Sequence, residues 1–486
     1  MGGGAARLQR EVGRGSVRSV FSVANFSRAG FGHALRKALQ RQVGLLREYT
    51  AAMDLPLDSI DAHQPSEVRI VELNAEEQAL ARGEAGEAAA MAMRIVVEMA
   101  EIMDAPLLGR ITSAHIDGCL YHGDGGVEFA ERLVEGGAKV RVPTTLNVGA
   151  LDLFSAKRGR LDDHRYEMAR RLMAAYEKMG CRPTWTCAPY QAGHRPAFGE
   201  QVAWGESNAV AFANSVLGAR TNRYGDFLDI CCALVGRAPM VGLHLDENRR
   251  ATVLISTDSL SDRLKETAVF YPVLGSWLGA AVGSEVAVID GLPTTTSEDR
   301  LKALGASAAS TGEVALFHVA GVTPEAPDLQ TALGGREPSR TIELTPAMIR
   351  EARDDLSTTD DHRISAIALG SPHFSRHEFE DLDRLIGDTP LAIPFFVCTG
   401  RGVREDLERT ERLSRLRKAG VEIVVDTCVV VTPILPEGGG VLMTNSGKFA
   451  HYTPANTGYQ VVYGSLEDCV ATARAGRLVR DERLWS

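Results

Sequence analysis

Residues able to do chemistry crowd into one stretch of this chain, Cys181 to Asp226. A thiol (Cys187), two amides (Asn208, Asn214), two acids (Glu200, Glu206) and two guanidinium groups (Arg220, Arg223) stand there among Gly, Ala and Ser, with Trp185, Tyr190 and Trp204 between them. No period of 2 or 3.6 orders its apolar positions, so it reads as neither a half-buried strand nor an amphipathic helix. Small residues with scattered polar groups and a few aromatics suit the wall of a buried polar pocket; an irregular surface segment is the bland alternative. A second group, SAHIDGCLYHGDGG (113–126), carries His115, Cys119, His122 and Asp124. These would make a compact metal site or a polar substrate lining, against a plain structural loop. In MTNSGKFAHYTP (443–454), Lys448, His451 and Tyr452 fall in a Gly-containing turn. Lys448 would pair a substrate carboxylate, or act as a base if burial lowered its pKa; a solvated lysine is the default.

The elements that must position these groups read as α/β. Residues 75–104 predict an Ala-rich helix, followed by a strand near 109–114, helix 126–136, strand 139–143 and helix 162–178. After the pocket segment come helix 226–235, strands 240–245 and 251–256, and an apolar helix over 261–280. From Glu285 the alternation becomes regular: EVAVIDGL and EVALFHVAG flank helix 298–309. A helix opened by Thr345-Pro346 leads to strand 363–369, helix 377–387, strand 391–397, helix 404–419 and strand 421–426. Uniformly apolar strands alternating with helices predict parallel sheets covered on both faces. The expected division is a basic extension (1–66), an α/β domain with the pocket segment (67–284) and a doubly wound α/β domain (285–486).

Ligands of open parallel sheets bind beyond the carboxyl ends of the strands. Strand 363–369 ends in Gly370-Ser371-Pro372-His373, strand 391–397 in Cys398-Thr399, and strand 421–426 in Thr427-Cys428. Three strand ends thus deliver a hydroxyl, an imidazole and two thiols to one edge. With Cys187 the two thiols would make three soft ligands, suited to zinc, copper(I) or an iron–sulfur cluster. Three ligands also leave the open position a Lewis acid needs. Buried structural cysteines are the alternative. Cys231, Cys232, Cys181 and Cys469 read as core. No Walker loop, dinucleotide fingerprint or G-x-S-x-G elbow is present, which removes nucleotide hydrolysis and serine-hydrolase chemistry.

Composition is globular, with 44% hydrophobic and 24% charged residues and a net charge of −10. That balance argues against nucleic acid or an anionic membrane as partner, and no apolar run is long enough to span a bilayer. Eight cysteines without a secretory signal fit a reducing compartment and free thiols. Residues 1–50 hold nine Lys/Arg against two acids, so at +7 they leave −17 on the remainder. A basic helix over 33–49 and an Arg-rich, acid-poor character allow an organelle transit peptide. The expected location is cytoplasmic, or mitochondrial if that reading holds; a tail or domain remnant is the alternative.

The blocks SAHIDGCLYHGDGG, TWTCAPYQ, WGESNAVAFANSVLGARTNRYGD, SPHFS, VDTC and TNSGKFAHYTP resemble aconitase X, a divergent branch of the aconitase superfamily, over about residues 70–480. The resemblance implies an aconitase-like α/β fold with doubly wound three-layer α/β/α units, and a hydro-lyase that uses an iron–sulfur cluster as Lewis acid. Two activities are known in that branch: dehydration of cis-3-hydroxy-L-proline, giving Δ1-pyrroline-2-carboxylate, and dehydration of mevalonate 5-phosphate in archaea. The GCLYHGDGG block and Ser371, where the archaeal type tends to carry Cys, are similar to the hydroxyproline type and its [2Fe–2S] cluster; [3Fe–4S] and [4Fe–4S] are the other forms. Cys187, Cys398 and Cys428 are the implied ligands, with Cys119 in reserve. His115, Asn208, Arg220 and Lys448 are candidates for holding carboxylate and ring nitrogen, and Ser371 and His373 for positioning the hydroxyl. The small swivel domain of aconitases, with its serine-rich loop, has no counterpart in the resembling region. Either a separate swivel subunit supplies it, as a partner beside the hydroxy-acid substrate, or the sequence is truncated or misassigned upstream; the general base is unassigned. A ligand-binding or iron-binding subunit without turnover is the non-enzymatic reading.

Overall fold

The computed structural model describes residues 71–155, 159–387 and 389–485; the basic extension and its 33–49 helix lie outside them. The first unit contains β1 (Leu108–Arg110), β2 (Ser113–Ile116), β3 (Thr144–Leu146), β4 (Val202–Trp204) and β5 (Arg237–Pro239). β3-β2-β4 form a parallel sheet, while β1 and β5 pair antiparallel. Side chains alternate across a strand, so Ala114 and Ile116 enter the core built by helices Glu87–Ile102, Asp124–Glu135, Asp163–Lys178 and Leu228–Val235. His115 and Asp117 therefore point to the other face.

The second unit is a parallel sheet of β6 (Val253–Ser256), β7 (Ala287–Asp290), β8 (Phe317–Val319) and β9 (Arg340–Glu343) in the order β8-β7-β6-β9. The third holds β10 (Ala366–Phe374), β11 (Phe395–Thr399), β12 (Val421–Val425), β13 (Val441–Thr444) and β14 (Gln460–Tyr463), all parallel, in the order β12-β11-β10-β13-β14. Separate apolar clusters cover its two faces, as doubly wound sheets require. The chain moves outward from β10 to β12, then returns to β10's other side with β13. The switch point therefore lies between β10 and β13, where the carboxyl-end crevice opens.

The α/β expectation holds, but its boundaries shift. β6 and β7 are hydrogen-bonded neighbours, so a domain boundary at 284/285 would cut a sheet, and three units replace two. The 75–104 helix is two helices, Ala75–Ala81 and Glu87–Ile102, parted by Gly83 and Gly86 at φ +86° and +103°. The 404–419 helix is likewise Arg401–Arg409 and Arg412–Ala419, parted at Glu411. Residues 240–245 contain a short 3-10 turn, Gly242–His244, rather than a strand. The Gly-containing turn around Lys448 is in fact the first turn of helix Gly447–Thr457, capped by Ser446. Nothing in the sequence pattern pointed to β14 or the helix Leu466–Ala475 that follows it.

Gly370 interrupts β10 with φ +92°, and a Cβ there would stand 2.1 Å from the Cys398 carbonyl oxygen. Gly370→Ala is therefore expected to cost on the order of 1–3 kcal/mol, read as a lowered urea midpoint. An unchanged midpoint would mean the end of β10 yields freely.

Candidate functional site

The carboxyl ends of two parallel sheets meet edge to edge. From the first come Asp117 after β2, Asn147 after β3 and Glu206 after β4; from the third come Ser371 and His373 in β10, Cys398 at the end of β11, Cys428 beyond β12 and Lys448 beyond β13. Main-chain and side-chain bonds stitch the seam. Gly149 N–H donates to the Asp426 carbonyl (2.7 Å), Val425 N–H to Asp152 Oδ2 (3.1 Å) and the Thr432 hydroxyl to the Ala150 carbonyl (2.8 Å).

Lys448 crosses this seam. Its ammonium donates to Glu206 Oε1 and to Asn208 Oδ1 (2.5 Å), while Asn208 Nδ2 holds the Cys187 carbonyl at 2.8 Å. Glu206 also caps helix Ser207–Phe212, accepting from Ala209 N–H at 2.7 Å. Burial by itself would lower Lys448, but the Glu206 carboxylate outweighs it and holds the amine above its ordinary value. The base role expected of a lysine with lowered pKa does not fit this geometry. Burial pushes Glu206 upward against the pull of Lys448; the direct contact of the two groups favours the charged pair.

Cys187, Cys398 and Cys428 are buried and free of disulfides. Burial, first of all, raises all three thiols, Cys187 to about 12, and Cys187 and Cys398 also respond to Cys428. Four backbone N–H groups point at the sulfurs: His373 at Cys187 (3.3 Å), Val429 at Cys398, and Val430 and Val431 at Cys428. Among the described residues, no three His, Cys, Asp or Glu side chains close around a single ion. A polynuclear cluster spreads its thiolate ligands over several irons and takes up N–H···S bonds, and this donor set fits one.

His373 ties the cysteine loops together. Its Nε2–H donates to the Thr427 carbonyl (3.3 Å), leaving Nδ1 to accept from the Thr186 hydroxyl (2.9 Å). Both ring nitrogens are thus used, and burial pushes the ring down to about 4. It positions loops rather than facing a substrate hydroxyl. Ser371 lies on the wall of a cavity of about 810 Å³ with Asn445, Ser446 and Gly447, and the Ser446 hydroxyl donates to its carbonyl. Neither Lys448 nor the three cysteines line that cavity; the Gly370–Pro372 segment stands between.

Three expected site residues go elsewhere. Arg220 sits beside Gln201, at the amino end of β4, bound to Asp246 (2.8 and 3.0 Å) and stacked on Phe198; it is committed to structure, not to substrate. Cys119 faces the first unit's core and approaches the Ile116, Asn147 and Val148 carbonyls, so the reserve ligand is withdrawn. The compact 113–126 metal site dissolves as well, since Asp124 pairs with Tyr121 and His164. Asp117, Asn147, Asp226 and Asp229 were missed. Asp117 receives Asn147 Nδ2, and Asp229 accepts from the Asp117 and Ile230 N–H groups (2.6 Å each). Burial pushes Asp229 up to about 8 and raises Asp117 and Asp226. The strand-end rule, applied to β2 and β3, would have found the first two.

The chain matches three families in succession: aconitase X first domain over 70–247, second domain over 251–354 and third domain over 364–475. It is 44% identical over 431 residues to cis-3-hydroxy-L-proline dehydratase of Pseudomonas aeruginosa, covering 86% of this chain and 74% of that protein. It is 34% identical over 400 residues to the phosphomevalonate dehydratase large subunit of Methanocaldococcus jannaschii, covering 82% of this chain and 98% of that one. The crystal structure of Thermococcus kodakaraensis aconitase X in its holo-form superposes with a TM-score of 0.75 at 36% identity, over 83% of this chain and all of that one.

Removing one member of a buried ion pair strands the other. Glu206→Gln is expected to cost about 3–5 kcal/mol, and Glu206→Gln with Lys448→Met less than the sum of the single changes. Additive losses in a double-mutant cycle of urea unfolding would show that the two groups do not interact.

Proposed function

The chain belongs to the aconitase X family of hydro-lyases, and from that premise we propose that it dehydrates cis-3-hydroxy-L-proline to Δ1-pyrroline-2-carboxylate. The observation that carries this reading is the seam itself: three buried thiols under four amide N–H groups, beside one ammonium set among four carboxylates. Cys187, Cys398 and Cys428 would hold an iron–sulfur cluster, [2Fe–2S] by resemblance, which when bound supplies a Lewis acid for the leaving hydroxyl.

The chain's own groups do the rest. Lys448, kept charged by Glu206 and aimed by Asn208, offers the cation that a substrate carboxylate requires. Asp117 and Asp226 face the same region and suit the ring ammonium of an amino acid. Loss of the Cα proton and the C3 hydroxyl leaves an enamine, which tautomerises to the cyclic imine. A phosphorylated hydroxy acid such as mevalonate 5-phosphate would meet Asp117, Glu206, Asp226 and Asp229 with a single lysine to offset them, a poor setting for a phosphate. A separately supplied swivel subunit remains a proposal, taken from the "large subunit" in the name of the archaeal relative.

Anaerobic reconstitution with iron and sulfide, followed by product analysis, tests this reading. The expected result is visible absorbance that is lost in Cys187→Ser, Cys398→Ser and Cys428→Ser, and turnover of cis-3-hydroxy-L-proline, with or without an added swivel subunit. A preference for mevalonate 5-phosphate, or full absorbance in all three variants, would refute it.

A further inference from the structure

Five large apolar side chains stand exposed among the described residues. Phe154 and Phe198 each have an arginine over the ring, and Leu153 adjoins Phe154. Ile102 and Leu107, 58% and 47% exposed, stand apart at one end of the first unit. Ile102 closes helix Glu87–Ile102, and Leu107 follows the turn at Asp104, whose φ is +55°. Met91, Ile95 and Met99 lead up to Ile102 along the same helix, packed against the core on one side and partly open on the other. Their spacing of i, i+4, i+8 and i+11 draws one apolar stripe along the helix surface.

The stripe has an acidic end. The helix carries one cation, Arg94, against Glu87, Glu98 and Glu101, and its last turn holds no basic residue. Asp104 follows, exposed. Carboxylates at a helix carboxyl terminus oppose its partial negative charge, so a cation brought alongside is favoured.

A segment of the same chain has the matching character. Residues 33–49 lie outside the described residues. Their sequence puts Leu35, Leu39, Val43 and Leu46 at the same i, i+4, i+8 and i+11 spacing, the pattern of an amphipathic helix. Arg36, Lys37, Arg41 and Arg47 stand there against Glu48, in an extension at +7 joined to a remainder at −17. The described residues also open beside the stripe, where Glu72 bridges Leu107 and its N–H donates to the Pro106 carbonyl (3.4 Å). Residues 50–70, fully extended, reach about 70 Å, against roughly 24 Å for the helix they would have to follow. A tether of that length makes docking intramolecular and holds the segment at high effective concentration.

We propose that residues 33–49 dock as a basic amphipathic helix on the 91–107 face of their own chain. Their leucines cover Ile102, Leu107 and the methionine stripe, and their cations meet Glu98, Glu101 and Asp104. The docking is independent of the substrate.

A photo-crosslinking residue, p-benzoylphenylalanine, placed at Leu39 of the full-length chain tests it, because the excited ketone inserts readily into methionine C–H bonds. Irradiation is expected to give a monomeric product whose peptide map joins position 39 to the 91–107 stretch. Ile102→Ser with Leu107→Ser, both at exposed positions, should lower that yield roughly tenfold and speed tryptic cleavage after Arg36 and Arg41 by a similar factor. Glu98→Lys with Glu101→Lys should act in the same direction. A covalent dimer would make a second copy the occupant and overturn the proposal. A crosslink elsewhere in the chain, no crosslink, or cleavage equally fast in wild type and variants would overturn it as well.

Discussion

One buried ion pair, Lys448 with Glu206, sets the terms for everything around it. A single ammonium taken out of water is costly unless a counter-charge and further hydrogen bonds meet it. Glu206 and Asn208 supply both, and each belongs to the first unit while Lys448 belongs to the third. The pair thereby fixes how the carboxyl edges of the first and third units face each other. Asn208 extends the constraint, because the amide that orients Lys448 also grips the Cys187 carbonyl. Charge, sheet docking and thiol placement become one problem with one solution.

The three thiols follow from this docking. Cys187 arrives on a loop of the first unit, Cys398 and Cys428 on strand ends of the third, and His373 binds both sides through Thr186, Cys187 and Thr427. Burial disfavours their thiolates, yet four amide N–H groups point at the sulfurs. Such a site gains most from charge when a cationic group arrives to share it. The same amides that cannot ionise a buried thiol unaided are well placed to stabilise a ligated one.

How much of this was legible depended on strand length and local environment. β10, β11 and β12 are long apolar runs, so the strand-end rule reached Ser371, His373, Cys398 and Cys428 directly. β2, β3 and β4 are three or four residues each, too short for periodicity to announce them, and Asp117 and Asn147 stayed hidden at their ends. The same shortness hid the Thr145 hydroxyl, which stands 2.8 Å from His115 Nδ1 and 2.6 Å from His194 Nδ1, since no spacing in sequence puts those three side chains in line. Arg220 and Cys119 carried the right chemical types in the right blocks. Their partners, Asp246 and a ring of carbonyl groups, come from folding and leave no trace in the motif. Lys448 was read as a turn residue because the Ser446 cap and the short β13 before it look like loop.

Charge balance at the seam bears on what can bind there. Burial raises the proton affinity of Asp117, Glu206, Asp226 and Asp229, and neighbouring carboxylates raise that of Asp117, Glu206 and Asp229 further, so part of this acidity is suppressed. A dianionic phosphate would deepen the repulsion and find one lysine, itself already paired. A zwitterion brings its own compensation: its carboxylate can share Lys448, and its ammonium restores the ionised state of the acids it approaches. The pocket's unfavourable self-energy is therefore relieved by a cyclic amino acid and aggravated by a phosphate ester. Recognition of this kind needs no arginine fork, which accounts for a site where Arg220 serves the scaffold instead.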